Sequence, residues 1–350
     1  MKKITFVIGG MSRGGAERVI SILANHYAKS GWKVDVVMFL SNRVGYELDD
    51  RIHLIDMTRK TQNKMVGAPY WVMSFRKYVK ESNPDIIVSF VARINVVVLL
   101  ATLGMNKKII ISERNDPSMD GRSKFLDIAT KVLYKKAGKI IFQTKRAANH
   151  FTGIIQKNSV IIPNPISVKC SVRENKNHKI VSVGRLAKQK NHMMLIDAFA
   201  KIIKTYPEYQ LWIYGEGSSR NELETKISEY HIEEKVFLPG NIPNIHQEIS
   251  DAEMFVLSSN YEGLSNALLE AMMMGIPCIS TTCAGSDEYI KDGYNGLLVP
   301  IGDSEKMKTA IERLIENDIF RYNIGRAGKQ SVEQCDSRIV IDKWCETIES

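Results

Sequence analysis

Short apolar runs that end at a glycine or a small polar residue, each followed by a stretch with helical spacing, constrain this chain more than any other feature. In the first half they fall at 3–8, 33–40, 85–90, 108–112 and 139–144, and in the second at 179–184, 210–215, 236–238, 254–257 and 278–281. Runs of this length with little polar alternation read as strands buried on both faces, and the helical stretches between them supply the covering layers of a parallel sheet. Between the first two runs, for example, Val19, Ile20, Leu23, Ala24 and Tyr27 recur on one helical face before Gly31 stops the helix. The second half repeats the design with helices expected at 193–204, 221–230, 245–251 and 266–274, and closes with three more at 304–317, 319–334 and 336–350. A chain of 350 residues is long for one hydrophobic core and natural for two. Pro163-Asn164-Pro165-Ile166, with the polar stretch to His178, reads as the linker. The sequence therefore predicts an α/β chain with one domain over 1–165 and a second over 166–335.

Composition narrows the setting. Charged residues make up 25% of the chain and no apolar run approaches the ~20 residues of a membrane-spanning helix; the best, 94–103, is too short. The start, MKKITFVIGGMSRGG, reads as a first strand rather than a signal peptide. Five cysteines without a C-x-x-C pair argue against a disulfide framework and a structural zinc site, and fit a reducing cytoplasm. The net charge of +9 is unevenly spread, with +16 in residues 1–170 and −7 in the rest. A basic first half suggests an anionic partner: nucleic acid, an anionic membrane surface or a phosphorylated acceptor. Two stretches there are basic and partly apolar. Over 59–82, Tyr70, Trp71, Phe75 and Tyr78 interleave with Arg76, Lys77 and Lys80, and this is the first choice for membrane contact; a covering helix with its rings partly in the core competes with it. Over 122–148, Lys131, Lys135, Lys136, Lys145 and Arg146 surround Leu126, Val132 and Leu133, a pattern that a solvated helix face also explains.

Ligand chemistry in a parallel sheet gathers where strands end. The turn after the first strand, Gly9-Gly10-Met11-Ser12-Arg13-Gly14-Gly15, lets backbone approach a ligand but lacks the G-x-G-x-x-G spacing and a Walker lysine, and a tight turn accounts for it as well. Glu113, Arg114 and Asn115 end another strand; a capped turn built on Asn115 and Asp116 is the competing reading. In the second half, Arg185 emerges after Gly184 with Lys190 close behind, two cations placed to clamp a diphosphate and neutralise a leaving group. Residues 258–277, SSNYEGLSNALLEAMMMGIP, combine a strand end, a glycine turn and a helix N-terminus. Ser265 or Asn266 caps that helix, Gly275 and Pro277 end it, and its free N–H groups make an anion site for which phosphate is the expected guest. Glu262 precedes the helix and faces hydroxyls; Glu270 lies about one turn inside, within reach of a ribose.

Glu262 and Glu270 in E-x7-E spacing, Gly184-Arg185-Leu186 with Lys190, and Asp292-Gly293-Tyr294-Asn295-Gly296-Leu297-Leu298-Val299-Pro300 resemble, in this order, the motifs of the retaining GT-B glycosyltransferases of family 4. The resemblance covers nearly the whole chain. It implies two Rossmann-like domains facing across a cleft, with an acceptor-binding domain over 1–165 joined by the last helix, 336–350, and a nucleotide-sugar-binding domain over 166–335. It implies that Glu262, Arg185 and Lys190 are catalytic, and that Gly14, Gly15, Gly184, Ile242, Gly263, Leu264, Ser265, Asn266, Ala267 and Glu270 bind the donor. Glu113, Arg114 and Asn115 remain for the acceptor side, because relatives often carry a histidine at or beside Arg114 and this chain does not.

The pattern GGAERV with SERND and EGLSNALLEAM resembles bacterial polysaccharide and polyprenyl-diphosphate glycan transferases. That implies a hexose or N-acetylhexosamine from a UDP-linked donor, a lipid-linked or oligosaccharide acceptor, and peripheral attachment to the inner face of the cell membrane. No D-x-D occurs, so cations and helix amides rather than a metal are expected to hold the diphosphate, with no cofactor. Two other classes compete: a GT-B sugar epimerase or phosphorylase, and a nucleic-acid-binding protein using the basic half, which lacks any recognised binding motif and leaves the glycine turns unexplained.

Overall fold

The computed structural model describes residues 1–12, 14–58, 64–118, 120–168, 170, 177–283 and 285–350. Arg13 of the glycine-rich loop, residues 59–63 of the first basic stretch and residues 171–176 of the linker lie outside the described residues. Two compact units divide the chain: Met1–Pro165 with Arg338–Ser350, and Ile166–Ser337.

In the first unit, β1 (Lys3–Ile8), β2 (Lys33–Met38), β3 (Ile52–Asp56), β4 (Ile86–Phe90), β5 (Lys108–Glu113), β6 (Lys139–Phe142) and β7 (Ser159–Ile161) form one sheet in the order β3-β2-β1-β4-β5-β6-β7. All its pairings are parallel, with Lys3 beside Lys33 and Ile4 beside Ile86 fixing the central register. Alternate residues feed two cores. Ile4, Phe6, Val36, Val88 and Phe90 meet α1 (Gly15–Lys29), whereas Val7, Val37, Ile87, Ile111 and Phe142 face α2 (Lys64–Ser82) and α3 (Ala92–Ala101). The strands β3 and β7 were not expected from sequence: both are sheet edges, and the charge and polarity of Ile52-His53-Leu54-Ile55-Asp56 hide its pattern. The unit also holds α4 (Lys124–Leu133), α5 (Lys145–Asn149) and α6 (Ile154–Lys157).

In the second unit, β8 (Lys179–Val183), β9 (Gln210–Tyr214), β10 (Val236–Gly240), β11 (Met254–Leu257), β12 (Cys278–Thr281) and β13 (Leu297–Val299) run in the order β10-β9-β8-β11-β12-β13, again all parallel. The helices are α7 (His192–Ile202), α8 (Arg220–Glu229), α9 (Ile245–Glu248), α10 (Asn266–Met274), α11 (Ser286–Tyr289), α12 (Ser304–Glu316) and α13 (Asp318–Ser331). One core joins Ile180, Leu211 and Val256 to α7, α8 and α12; the other joins Val181, Phe255 and Leu257 to Leu268, Leu269 and Met272 of α10. The last helix, α14 (Ser337–Glu349), belongs to the first unit's core, where Val340, Trp344 and Ile348 are buried and Trp344 stacks on Phe90 with ring centres 5.5 Å apart.

Both sheets have the doubly wound arrangement of a Rossmann-like domain, with the strand order reversing between β1 and β4 and between β8 and β11. Ligands of such sheets bind beyond the carboxyl ends of the strands on either side of the reversal.

Candidate active site

Two loops meet at the reversal of the second sheet. The first, 184–191, follows β8; the second, 258–265, follows β11. Hydrogen bonds stitch them together: Asn260 N donates to Gln189 O at 2.8 Å, Asn260 Nδ2 to Lys188 O at 2.9 Å, Gln189 Nε2 to Tyr261 O at 3.0 Å, and Ser258 Oγ to Lys190 O at 2.8 Å. Within this frame Lys190 Nζ lies 2.5 Å from Glu262 Oε1, and Ser259 Oγ donates to the same oxygen at 2.7 Å. The side chains of Lys190 and Glu262 are only 14% and 9% exposed, so the carboxylate is held rigidly and its charge is met. Among the described residues no hydrogen-bond partner meets Oε2 of Glu262.

A Cβ on Gly184 would lie 3.0 Å from Lys190 Cε, so the lysine stem runs directly over this glycine and a larger residue would push the stem aside by a few tenths of an ångström. Neighbouring glycines support the loop from beneath. A Cβ on Gly215, at φ +141, would stand 2.0 Å from the Gly184 carbonyl oxygen, and one on Gly217 2.2 Å from that of Leu186. Arg185 is exposed and donates to Gln189 Oε1 only at a long 3.5 Å, so its guanidinium is available to a ligand.

The second loop leads into α10. Ser265 caps it, its Oγ accepting from Leu268 N at 3.4 Å, and Gly275, at φ +87, closes it. Gly263, Leu264, Asn266 and Ala267 form the turn and first residues, and Gly285 presses on them, because a Cβ there, at φ +86, would lie 2.4 Å from Gly263 O. Glu270 is buried one turn in, with His246 Nε2 of α9 3.2 Å from its Oε2. Ile242 packs against the same core as Ala267. His246 and Ser259 are the neighbours that sequence reasoning missed; neither belongs to a spacing that joins it to its glutamate.

The residues expected in the first unit have a different character. Glu113 is buried and accepts from Tyr134 Oη at 2.8 Å, with Arg122 Nη2 3.3 Å away; burial raises its carboxyl above the usual range. Arg114 is buried too, reaching Asn164 through Nη2 and lying 5.9 Å above the Phe90 ring, and burial pushes its guanidinium down to about 9. Asn115 is exposed. Gly14 caps α1, but the carboxylate of Glu17 sits where a Cβ on Gly14 would be, at 2.3 Å, so that helix start already has a carboxylate of its own. Val91, which follows β4 at the sheet's reversal, has φ +74, an unusual value for a β-branched residue.

In the Tyr70 to Lys80 stretch the packing matches the competing reading, a covering helix with its rings partly in the core. Phe75 is fully buried, Trp71 lies against Phe39 with ring centres 5.8 Å apart, and Tyr78 Oη bonds to Asp35. Arg76 donates to Ala101 O at 2.8 Å and Leu103 O at 2.9 Å, closing the carboxyl end of α3. Trp71, Phe75 and Tyr78 belong to the core, whereas Tyr70, Met73, Lys77 and Lys80 stay exposed.

Comparison with known proteins agrees with this geometry. Residues 13–169 match the family described as Glycosyltransferase Family 4, and residues 167–331 match Glycosyl transferases group 1. The chain is 30% identical over 342 residues to the N-acetylgalactosamine-N,N'-diacetylbacillosaminyl-diphospho-undecaprenol 4-alpha-N-acetylgalactosaminyltransferase of Campylobacter jejuni, covering 92% of each chain. It is 26% identical to a second enzyme of that organism, the GalNAc-alpha-(1->4)-GalNAc-alpha-(1->3)-diNAcBac-PP-undecaprenol alpha-1,4-N-acetyl-D-galactosaminyltransferase, over 99% of this chain and 98% of the relative. Among solved structures, the Anabaena protein HepE in complex with UDP and glucose superposes with a TM-score of 0.85 at 19% identity, over all of both chains. The fold is GT-B, and the chain belongs to the family 4 glycosyltransferases.

Proposed function

We propose that this glycosyltransferase moves a hexose or N-acetylhexosamine, with retention, from a UDP-linked donor to a lipid-linked oligosaccharide at the inner face of the cell membrane. The observation that carries the reading is the Lys190–Glu262 pair, fixed between two loops at the strand-order reversal of the second sheet. The relatives add direction. The two Campylobacter enzymes are named for diphospho-undecaprenol and PP-undecaprenol sugars, and the Anabaena structure holds UDP and glucose.

In this reading Arg185 and Lys190 meet the diphosphate, and the N–H groups of the α10 start complete its cradle without a metal. Lys190 has three N–H donors, so it can keep Glu262 and still reach a phosphate oxygen. Glu262 offers Oε2 to the sugar hydroxyls while Oε1 stays bound. Glu270, with His246 beside it, receives the ribose hydroxyls. The departing phosphate takes the acceptor's proton on the face it leaves, which preserves the anomeric configuration. The acceptor-side role keeps only Asn115 as an exposed member of its three expected residues; Glu113 and Arg114 shape that strand end from within.

The test is a panel of nucleotide sugars scored by nucleotide release with a polyprenyl-diphosphate sugar acceptor, followed by determination of the product's anomeric configuration by NMR. UDP release with one donor, a retained anomer and full turnover in EDTA are expected. An inverted product, or a requirement for magnesium or manganese, would overturn the mechanism.

A further inference from the structure

The exposed face of α4 carries an apolar stripe that the sugar-transfer chemistry does not use. Phe125, Ile128 and Val132 are 82%, 62% and 56% exposed, and their spacing of three and four residues aligns them along one side of the helix. The opposite side is anchored: Thr130 is buried, and Tyr134, just beyond the helix, is fully buried beside α3. Single exposed apolar residues are ordinary, but three aligned on one helix are the mark of a contact surface.

Charge selects the partner. Lys124, Lys131, Lys135 and Lys136 are all exposed along this segment. Asp127, the helix's acidic residue, is occupied by Lys131 at 2.7 Å and by His150 at 2.7 Å. An apolar centre rimmed by exposed lysines matches a bilayer whose interface is apolar beneath and anionic above. A second copy of the chain fits less well, since pairing this face with itself would set lysines against lysines. Nucleic acid would use the lysines but leave Ile128 and Val132 in water.

We propose that α4 is the surface by which the protein lies on an anionic lipid bilayer. Phe125, Ile128 and Val132 enter the boundary between headgroups and acyl chains, and Lys124, Lys135 and Lys136 meet lipid phosphates. The inference rests on the lipid-linked reading of the acceptor and replaces the Tyr70 to Lys80 stretch as the contact.

The experiment is co-sedimentation of the full chain with phosphatidylcholine vesicles containing increasing phosphatidylglycerol, at low and high salt. Two triple variants are compared with wild type: Phe125→Ser/Ile128→Ser/Val132→Ser and Lys124→Glu/Lys135→Glu/Lys136→Glu. Wild type should bind in proportion to the anionic fraction and release in salt, and the lysine triple, which removes three attractions and adds three repulsions, should lower partitioning by at least about a hundredfold. Both triples should keep the wild-type melting temperature and transfer to a short-chain, water-soluble acceptor, because every altered side chain is exposed; the single Phe125→Ser variant repeats the test with the smallest change. Vesicle binding that survives both triples overturns the assignment to α4 while leaving a membrane-bound enzyme intact. Wild type that ignores anionic vesicles at low salt overturns the membrane reading itself. An apolar triple that turns a dimer into a monomer without altering vesicle binding shows instead that the stripe joins two copies.

Discussion

Replacing Lys190 and Glu262 one at a time, and then together, tests whether the loop-to-loop ion pair exists in the ligand-free protein. At 2.5 Å the pair is a charge-assisted hydrogen bond, which contributes about 1.5–3 kcal/mol, and the two side chains are mostly withdrawn from water. Lys190→Met leaves the carboxylate to the Ser259 hydroxyl, an under-compensated buried charge, so it should cost about 2–4 kcal/mol. Glu262→Gln keeps an oxygen for Ser259 and a neutral acceptor for Lys190, and should cost less, about 1–2 kcal/mol. In the double variant neither charge is left alone, so the combined loss should fall short of the sum by roughly 1–2 kcal/mol. For a domain of this size each kcal/mol moves the melting temperature by about 2–4 °C. The assay is calorimetry of the four proteins without ligand, with kcat/KM measured alongside. Losses that add to within about 0.5 kcal/mol would show that the pair does not act as a unit in solution, and the rigid Glu262 on which the mechanism depends would go with it.

Two further perturbations reach the same loops. Gly215→Ala places a Cβ 2.0 Å from the Gly184 carbonyl oxygen at φ +141, so the loop carrying Arg185 must move by more than an ångström; we expect roughly 2–5 kcal/mol of lost stability and up to a hundredfold lower kcat/KM in the folded fraction, and wild-type melting with wild-type kinetics would refute the packing. His192, buried beside the same loop, is pushed from 6.5 down to about 4, by burial first and by the Lys190 cation second. Its folded-state pKa is depressed, so the neutral ring's stability is fully present above pH 6.5 and is lost as the pH falls towards 4. Roughly 3 kcal/mol should disappear over that window, and His192→Gln should flatten the loss. Identical acid limbs in urea titrations of the two proteins would refute it.

The architecture could be read from sequence because parallel strands buried on both faces leave an unbroken apolar signal. β1, β11 and β12 begin and end where their apolar runs do. Edges escaped for the complementary reason: β3 exposes His53 and Leu54, and a half-solvated strand loses the pattern that identifies its central neighbours. The positions of Arg185, Lys190, Glu262 and Glu270 were readable because each lies at a fixed step from a strand end or a helix cap, a local relation that the chain itself encodes. Their partners were not. Lys190 and Glu262 are 72 residues apart, Ser259 selects one oxygen of the carboxylate, and His246 reaches Glu270 from another element. Such pairings are settled by the sheet order that brings β8 beside β11, which no spacing within either segment expresses.

The same limit governs which side of an amphipathic helix meets water. In α2 the aromatic residues suggested a surface, yet Trp71 and Phe75 pack towards Phe39, where large rings bury their area against the sheet. In α4 two apolar sets share one helix: Leu126 and Leu133 are partly withdrawn from water, whereas Phe125, Ile128 and Val132 are turned out. Periodicity finds both sets, but it cannot rank them when each repeats with helical spacing. The packing decides, through Thr130 and Tyr134, which are buried on the inner side and leave the ring of Phe125 outside. A helix that turns its phenylalanine to water while burying a threonine keeps an unmet apolar surface, and the lysines around it specify what can cover it.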